Sequence, residues 1–387
     1  MNTFSNFNFE NQRVLLREDL NVPLKNGVIL DDTRLKAACP TIQTLVKAKA
    51  SVIIISHLGR PEAGQYDEKL SLAPVAHALS QLLNQSVELC SNWETLNVLP
   101  GQVVLLENIR FEKGEVSNDS TLAQKLASLC DCFVMDAFAV AHRASASTVG
   151  VIDYVKHAMA GPLLEKELNA LEQALTHPAL PLVAIVGGSK VSSKLTVLKS
   201  LLKKVDTLIV GGGIANTFLK AASQPVGDSL VEDALVEQAR QMLVQAQNDG
   251  KSILLPIDVV VANEINATKG TIKAIKSVEA TDKIFDIGPR AIQSIERIVK
   301  QAKTVIWNGP LGVFENVSFE TGTRALAQSI AASEAFSLAG GGETLAAISQ
   351  FNVSSQISSI STGGGAFLEW LAGDELPAVA ALKAHHK

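Results

Sequence analysis

The segment Val183–Leu195 has the sequence VAIVGGSKVSSKL, in which an apolar run leads into two glycines and two lysines. This order predicts a buried β-strand, a glycine turn and the start of a helix, with Lys190 and Lys194 one helical turn apart on the same face. Backbone N–H groups at a helix N-terminus, together with two ammonium groups, suit a phosphate. Two solvated lysines on an amphipathic helix are the alternative. The spacing differs from the G-x-x-x-x-G-K-[ST] loop, so the mechanism of that loop does not apply.

Short apolar runs of this kind recur along the chain between segments of helical periodicity. They predict parallel strands that are buried on both faces and joined by crossover helices, which is an α/β, doubly wound, Rossmann-like fold. Ligands of such sheets bind beyond the carboxyl ends of the strands. The predicted strands are Arg13–Leu16, Val52–Ile55, Val103–Leu106, Phe133–Met135, Val183–Val186, Leu208–Val210, Ile253–Leu255, Val305–Trp307 and Phe336–Leu338.

Length and composition limit the class of protein. The chain has 387 residues, of which 47% are hydrophobic and 19% are charged, so two or three domains with substantial cores are expected rather than a disordered or fibrous protein. The net charge of −5 argues against a general electrostatic grip on nucleic acid or anionic lipid. Local clusters of basic residues must therefore hold any anionic ligand.

Neither the N-terminus nor the longest uncharged stretch indicates a membrane or export signal. The first residues lack a basic region followed by an apolar core, and the stretch 344–368 is interrupted by glycines and polar residues. Reduced thiols in a cytoplasmic protein are expected, because no CxxC pair occurs. The cysteines are Cys39, Cys90, Cys130 and Cys132.

A periodic segment near the middle of the chain, Leu163–Thr176, is predicted to be a connecting helix, since Pro162 precedes it and Pro178 follows it. The loops before it are rich in arginine, whereas the loops after it are rich in glycine. This contrast predicts two sheets that bind different ligands.

Five arginines of the first half lie at predicted strand ends or helix starts. The guanidinium group matches carboxylate and phosphate oxygens, so converging arginines predict a site for a small polyanion, whereas isolated surface charges are the alternative. Asp19 and Asn21 follow one strand end and could bind a substrate hydroxyl, although D-x-N also occurs in ordinary turns. The arginines are Arg17, Arg34, Arg60, Arg110 and Arg143, with His57 and His142 nearby in sequence.

Triple-glycine turns mark the second half, at 211–213, 340–342 and 363–365. Glycine allows the backbone to approach a ligand closely, and three such turns around one sheet favour a nucleotide, although a single one could be only a tight connection. The first turn lacks the third glycine of the dinucleotide fingerprint, which leaves a dehydrogenase as a weak alternative. Glu343, directly after the second turn, is the candidate Mg²⁺ ligand, or else an acid that complements a helix dipole.

Taken together, the motifs closely resemble the phosphoglycerate kinase family. The resemblance spans Arg13 to about Leu382. Two positions depart from the family pattern, because Glu343 stands where an aspartate is usual and Ala139-Val140 stand where Gly-Thr is usual. The motifs, in order, are VLLREDLNVP, SHLGRP, ENIRF, MDAFAVAHRA, VAIVGGSKVSSKL, VGGGIANTFL, WNGPLGVFE, GGGET and STGGGAFLE.

The resemblance implies a glycolytic phosphotransferase with a carboxyl acceptor. It would transfer a phosphoryl group reversibly from 1,3-bisphosphoglycerate to MgADP, giving 3-phosphoglycerate and ATP. Since the nucleophile of the reverse reaction is a carboxylate that is already ionised near neutral pH, no general base is required. A cytoplasmic monomer with Mg²⁺ and small-molecule partners, and with neither nucleic acid nor membrane, is expected. A nonenzymatic binding protein for phosphorylated metabolites is the alternative from another class.

The resemblance also implies site residues and domains. Phosphoglycerate would be bound by Asp19, Asn21, Arg34, His57, Arg60, Arg110 and Arg143. The nucleotide would be bound by Gly188, Lys194, Gly211, Gly212, Phe285, Asn308, Leu311, Glu315, Gly341, Gly342, Glu343 and Thr344, with Phe285 and Leu311 as walls of the base pocket. The catalytic set would be Arg34, Lys190, Gly342 and Gly365. The expected domains are 1–162 for phosphoglycerate, a connector at 163–177, 178–369 for the nucleotide, and a tail at 370–387 that returns to the first domain.

Overall fold

The computed structural model describes residues 3–93 and 96–385, which form an α/β fold. The helices are α1 (Thr33–Lys47), α2 (Ala73–Leu83), α3 (Ser120–Ser128), α4 (Pro162–Leu175), α5 (Leu195–Lys204), α6 (Gly212–Ala221), α7 (Val236–Asn248), α8 (Pro289–Gln301), α9 (Thr321–Ala331), α10 (Gly342–Gln350), α11 (Gly365–Ala372) and α12 (Pro377–His385). The strands are β1 (Arg13–Arg17), β2 (Leu24–Lys25), β3 (Val28–Ile29), β4 (Ser51–Ile55), β5 (Val87–Cys90), β6 (Val103–Leu106), β7 (Cys132–Met135), β8 (Ala158–Ala160), β9 (Leu182–Val186), β10 (Thr207–Val210), β11 (Ser252–Leu254), β12 (Asp258–Ala262), β13 (Thr271–Ala274), β14 (Lys283–Ile287), β15 (Thr304–Asn308), β16 (Phe336–Gly340) and β17 (Ser359–Ser361).

The chain divides into two compact units. The N-terminal unit consists of the residues up to Leu168 together with those from Glu375 onward, and the C-terminal unit runs from Asn169 to Asp374. The boundary between Leu168 and Asn169 falls inside α4. Its N-terminus is capped by Asp136, whose Oδ1 accepts hydrogen bonds from the backbone N–H groups of Leu163 (2.7 Å) and Leu164 (3.1 Å).

The N-terminal unit is built on a parallel sheet in the order β5-β6-β4-β1-β7-β8. Every residue of β4, β6 and β7 is buried, as expected for strands that are covered on both faces by helices. The main core cluster packs α1 and α2 against one face of this sheet through residues such as Leu35, Ile42 and Leu79. The carboxyl ends of β1, β4, β6 and β7 therefore share one edge.

The C-terminal unit contains a second parallel sheet, in the order β11-β10-β9-β15-β16-β17. A smaller antiparallel sheet, β13-β12-β14, is inserted between β11 and β15 in the chain and was not predicted. Its strands are only partly buried, whereas every residue of the central parallel strands β9 and β15 is buried. The polar composition of β13, TIKA, explains why no apolar run marked it.

The predicted α/β fold with two parallel sheets is confirmed, and each of the strands predicted from an apolar run overlaps a strand of the structure. The prediction missed β5, β8 and β17, which lie at or near sheet edges. Edge strands bury one side less completely, so their sequences, VELC, AMA and SIS, carry a weaker apolar signal.

One local prediction was wrong. Lys190 and Lys194 do not lie one turn apart on a helix, because α5 begins only at Leu195 and Lys194 is its N-cap residue. Lys190 lies in the loop after β9 and is exposed, whereas Lys194 is half-buried. The glycine turn extends further than the sequence spacing suggested, so the two ammonium groups occupy different environments.

The cysteine thiols are free, and those of Cys39, Cys130 and Cys132 are buried, whereas Cys90 is half-exposed. Within the described residues, no helix combines the length and the apolar character needed to cross a membrane.

Candidate active site

In the C-terminal unit, the chain leaves the two central strands, β9 and β15, toward opposite edges of the sheet. From β9 the chain proceeds outward through β10 and β11, and then returns to β15 on the other side of β9. Such a switch point opens a crevice at the carboxyl ends of the two strands. Here Gly187, which follows β9, donates a backbone hydrogen bond to Asn308 O at the end of β15 (2.9 Å). Lys194 Nζ donates to Gly187 O (2.7 Å) and to Asn308 O (3.3 Å), so its ammonium group lies at the crevice.

Glycines bring several helix N-termini to the same edge. The helices α6, α10 and α11 begin at Gly212, Gly342 and Gly365, each within one of the triple-glycine turns. Gly212 has φ +64°, and a Cβ there would lie 2.8 Å from Gly188 O, so only glycine fits between these two loops. The N–H groups and dipoles of these helices make this edge suited to anions.

Asn308 and Thr344 hold the loops of this edge together. Asn308 Nδ2 donates to Gly340 O (2.7 Å), and Gly309 N donates to Thr344 Oγ1 (2.7 Å). Among the described residues, Asn308 Oδ1 is buried without a hydrogen-bond partner. A Cβ at Gly341, which has φ +100°, would come within 2.6 Å of Asn308 Nδ2. The side chains predicted to touch a nucleotide therefore also fix the backbone of the two loops.

Of the two predicted walls of a base pocket, Phe285 lies on β14 and Leu311 lies in the loop after β15. Val313 N donates to Phe285 O (2.8 Å), which ties the loop after β15 to β14. Phe285 packs on Phe319 with ring centroids 5.0 Å apart, whereas Leu311 is buried and its backbone faces Gly211. Glu315 is exposed further along the same loop.

Glu343 lies in the first turn of α10 and is exposed. Burial lowers the pKa of Lys194, and the negative charge of Glu343 opposes that shift, so the two side chains interact across the crevice. This position is compatible with both alternatives from the sequence, a metal contact and an acid at a helix N-terminus. Within the described residues, no group of three or more acidic, His or Cys side chains could hold a metal ion by itself.

In the N-terminal unit, four of the predicted residues come together near the carboxyl ends of β1 and β4. Arg34 forms an ion pair with Asp19 (Nη1 to Oδ2, 2.6 Å) and donates to Asn21 O (3.0 Å). Asn21 Oδ1 accepts from the backbone N–H of Gly59 (3.0 Å), and His57 Nδ1 lies 3.9 Å from Asp19 Oδ1. A carboxylate, an amide and an arginine thus lie close together at this edge of the sheet.

Three of the other predicted arginines line a cavity of about 270 Å³. Arg17, Arg110 and Arg143 line it, and Arg110 also donates to Gly59 O. Burial, together with repulsion from Arg143, Arg17 and Arg60, lowers the pKa of Arg110 to about 10, and the charge of Glu115 opposes this shift. This mutual repulsion indicates a preformed anion site, because an anion would relieve it.

His57 is neutral in this environment. Burial lowers its pKa to about 2, helped by the positive charges of Arg17, Arg110, Arg143 and Arg34. Arg17 Nη2 approaches His57 Nδ1 (3.5 Å), which makes Nδ1 the acceptor and leaves Nε2 as the N–H donor. His57 therefore offers a neutral hydrogen bond rather than a charge.

Sequence reasoning missed several buried polar residues around the arginines. Asn108 lies after β6 and bonds to the backbone of Leu58 through both Oδ1 (3.2 Å) and Nδ2 (2.8 Å). Glu115 binds Ser147. Glu18 is bonded to Asp136, and burial raises the pKa of both carboxyl groups. The ENIRF motif contained a signal for Asn108, whereas nothing local in the sequence distinguishes Glu115 from a solvated acid.

Comparison with known proteins bears on this pair of sites. The profile of the phosphoglycerate kinase family matches residues 4–374. The chain belongs to the phosphoglycerate kinase family. Curated relatives of that name include the protein of Coxiella burnetii, 54% identical over 97% of this chain and 96% of the relative, and that of Legionella pneumophila, 54% identical over 99% and 97%.

Solved structures of the family have the same fold. The phosphoglycerate kinase of Coxiella burnetii superposes with a TM-score of 0.97 at 52% identity over the whole of both chains. The enzyme of Pyrococcus horikoshii superposes with a TM-score of 0.83 at 33% identity, covering 100% of this chain and 99% of the other. Family membership makes the chain a glycolytic phosphotransferase. It transfers a phosphoryl group reversibly from 1,3-bisphosphoglycerate to ADP, giving 3-phosphoglycerate and ATP.

Proposed function

We propose that the two units divide the two substrates between them. The arginine cavity and the Asp19/Asn21 crevice of the N-terminal unit bind the phosphoglycerate, and the glycine-rich edge of the C-terminal unit binds the nucleotide. The observation that carries this assignment is the ring of mutually repelling arginines around a neutral His57, because such a ring is stabilised by a small polyanion. Asp19 and Asn21 then bind the hydroxyl group of the glycerate.

The nucleotide assignment rests on the switch point between β9 and β15. The N-termini of α6 and α10 supply N–H groups to the phosphates, and Lys194 supplies a charge that is already held by two carbonyl oxygens. Phe285 and Leu311 contact the base, Glu315 binds the ribose, and Asn308 and Thr344 keep the loops in register. Gly188, Gly211, Gly212 and Gly341 allow the backbone to approach the phosphates.

For the transfer itself, this chain contributes charge and position rather than a base. The transferring phosphoryl group carries charge on three equatorial oxygens, and the attacking carboxylate is ionised near neutral pH. Arg34 stabilises this charge from the phosphoglycerate side, and Lys190 from the nucleotide side. The backbone N–H groups of Gly342 and Gly365, at the starts of α10 and α11, act on the same oxygens.

The C-terminal unit also fits Mg²⁺. This ion takes one or two carboxylates together with phosphate oxygens and waters, and Glu343 offers one exposed carboxylate beside Lys194 at the phosphate edge. Bound there with the nucleotide, Mg²⁺ would neutralise developing phosphate charge. Compared with the aspartate usual in the family, Glu343 has one more methylene group, which the adjacent glycines accommodate. No atom lies within 4 Å of the position that a Cβ of Gly342 would take.

The magnesium proposal has a kinetic test in Glu343→Gln and Glu343→Asp. If the carboxylate contacts the ion, Glu343→Gln needs more free Mg²⁺ for half-maximal rate, whereas Glu343→Asp stays active with a comparable or lower requirement. Initial rates are measured against free Mg²⁺ at saturating nucleotide and 3-phosphoglycerate. Superimposable curves for Gln and Glu would leave Glu343 as an acid at a helix N-terminus.

The same proposal covers the domains and the state of the protein. Residues 1–162 form the phosphoglycerate domain, 163–177 the connector, 178–369 the nucleotide domain, and 370–387 a tail on the first domain. The enzyme works as a monomer in the cytoplasm.

The division of substrates is tested by one variant in each unit. Arg110→Gln is expected to raise the KM for 3-phosphoglycerate by at least 10-fold with little change in the KM for ATP, and Lys194→Met is expected to do the reverse. Both constants are measured for both proteins in the coupled reverse assay. A rise in the wrong constant for either variant would overturn the assignment of that unit.

A further inference from the structure

Glu115 is a buried carboxylate in the wall of the arginine cavity. Its side chain is 3% exposed, and it lies on the loop between the short helical turn Ile109–Phe111 and α3. A negative charge in an anion site opposes the binding of the anion, so its presence requires a compensating contribution. The hydrogen bonds of Glu115 identify that contribution.

Three hydrogen bonds join Glu115 to the segment 145–148, which follows Arg143. Glu115 Oε1 accepts from Ser147 Oγ (2.6 Å), Oε2 accepts from Ser147 N (3.0 Å), and the backbone O accepts from Ala146 N (3.0 Å). Ser147 is completely buried. This segment is in turn joined to Arg143, because Thr148 Oγ1 donates to Arg143 O (2.7 Å). Glu115 therefore holds the loop that positions one of the cavity arginines.

The same serine reaches a second arginine. Arg17 Nε donates to Ser147 Oγ (3.0 Å). A serine hydroxyl has one proton and two lone pairs. Because the Ser147 hydroxyl group donates its proton in a hydrogen bond to Glu115, a lone pair of its oxygen is free to accept from Arg17. The carboxylate thus sets the rotation of the hydroxyl group, and the hydroxyl group sets the orientation of the guanidinium group, whose other nitrogens approach Glu18 O and His57 Nδ1.

The charge of Glu115 also favours keeping the arginines together in the absence of substrate. Burial lowers the pKa of Arg17, and Glu115 is the strongest opposing influence. Glu115 likewise opposes the lowering of the Arg110 pKa by burial, Arg143 and Arg17. Its charge therefore offsets part of the repulsion among the arginines when no substrate is bound.

We propose that Glu115 is a positioning residue for substrate binding. Acting through Ser147, it holds Arg17 and the Arg143 loop in the arrangement that receives an anionic group of phosphoglycerate. This inference rests on the proposed assignment of phosphoglycerate to the N-terminal unit. Glu115 does not touch the substrate and takes no part in phosphoryl transfer.

The sign of one substitution distinguishes positioning from simple charge. If Glu115 acted only as a nearby negative charge, Glu115→Gln would bind 3-phosphoglycerate more tightly, because a repulsion is removed. If it positions the arginines, the same variant binds more weakly. Ser147→Ala separates the effects further, since it keeps the carboxylate and removes the hydroxyl group that links it to Arg17.

The experiment measures 3-phosphoglycerate binding by calorimetry at fixed ionic strength, together with kcat and both KM values. Glu115→Gln and Ser147→Ala are each expected to weaken 3-phosphoglycerate binding about 10-fold, with the KM for ATP unchanged and kcat within about threefold of the wild type. Glu112→Gln, half-buried on the same loop, is the matched control and is expected to bind normally. Should Glu115→Gln fail to fold, Ser147→Ala decides the question.

Arg110→Gln serves as the reference for the underlying assignment. If Arg110→Gln weakens 3-phosphoglycerate binding while Ser147→Ala and Glu115→Gln bind normally or more tightly, the positioning role is wrong and the assignment stands. If Arg110→Gln binds normally, the assignment itself fails, and the positioning role fails with it. Equal losses of ATP and 3-phosphoglycerate affinity in Ser147→Ala would indicate a general structural defect and would also overturn the inference.

Discussion

At the scale of the residue, the neutral state of His57 has a direct test. Burial and the surrounding arginines lower its pKa to about 2, so its ring should not titrate between pH 5 and 8. Two-dimensional NMR of ¹⁵N-histidine-labelled protein is expected to give a constant, neutral His57 signal over that range. A His57 signal with a midpoint near pH 6.5 would contradict the arginine ring as described. His57→Gln identifies the signal.

The depressed pKa of His57 also affects stability. In the unfolded chain the ring takes up a proton near pH 6.5, whereas in the folded state it does so only near pH 2. Its contribution is therefore present above about pH 6.5 and is lost as the pH falls toward 2. This contribution belongs to the acid limb of the stability profile.

Lys190 carries a second prediction at this scale. We place its ammonium group on the transferring phosphoryl group, where it acts mainly in the transition state. Lys190→Ala should reduce kcat by about 10²–10³ with smaller effects on both KM values. Lys199→Ala, an exposed lysine on α5, is the control. Near-normal turnover of Lys190→Ala would remove Lys190 from the catalytic set.

The sequence predicted the positions of the site residues better than their states. Arg17 ends β1 and Asp19 follows it, and this strand end can be recognised from an apolar run, whereas Arg34 lies in the first turn of α1. The neutrality of His57 could not be predicted, because it depends on charges contributed by loops that are distant in sequence. Glu115 was missed for the same reason, since its partner Ser147 follows a different strand.

At the scale of the element, Asp286 ties three segments of the C-terminal unit together. Its Oδ2 accepts from Gly322 N at the start of α9 (2.8 Å), its Oδ1 accepts from Ile287 N (2.8 Å), and Gly312 of the loop after β15 packs against it. Burial raises its pKa to about 7, although the two N–H groups oppose the shift. The carboxyl group of Asp286 therefore keeps its proton at mildly acidic pH.

The sign of the resulting pH dependence follows from linkage. Between about pH 4 and 7 the unfolded carboxyl group is ionised while the folded one keeps its proton, so the contribution of Asp286 to stability falls as the pH rises through this window. Asp286→Asn removes the titration. The denaturant midpoint of Asp286→Asn minus that of the wild type should therefore be larger at pH 7.5 than at pH 4.5. Chemical denaturation at the two pH values measures it, with exposed Asp249→Asn as the control, and a constant difference would contradict a raised pKa.

The elements that sequence reasoning missed share a physical cause. The strands β8 and β17 have three residues each at the outer edges of the sheets, too short for a recognisable period. The antiparallel strand β13 is mostly exposed, so no apolar run marks it. The central strands, buried on both faces, were recognised because nearly every residue in them is apolar.

At the scale of the whole molecule, the proposed division of substrates predicts that the two units close when both substrates are bound. The phosphoryl group can pass only when donor and acceptor meet with water excluded, and α4 is the helix that runs from one unit into the other. Small-angle scattering is expected to give the smallest radius of gyration with both 3-phosphoglycerate and nucleotide present. Arg110→Gln, with weakened 3-phosphoglycerate binding, should need more of this ligand for the same compaction. Equal dimensions of the free and doubly liganded protein would exclude closure from the mechanism.

The N-terminal unit is formed by two separate segments of the chain, so it cannot be completed until the second segment has been translated. This unit is completed by α12, whose Ala378 N donates to Ala141 O (3.1 Å) and whose approach residue Leu376 is completely buried. The ribosome must synthesise the segment 169–374 before it reaches α12, which takes roughly 10–40 s at the usual speed of translation. During that interval the apolar surface near β8 that later receives α12 is open to chaperones. The half of the protein that is made first therefore finishes folding last.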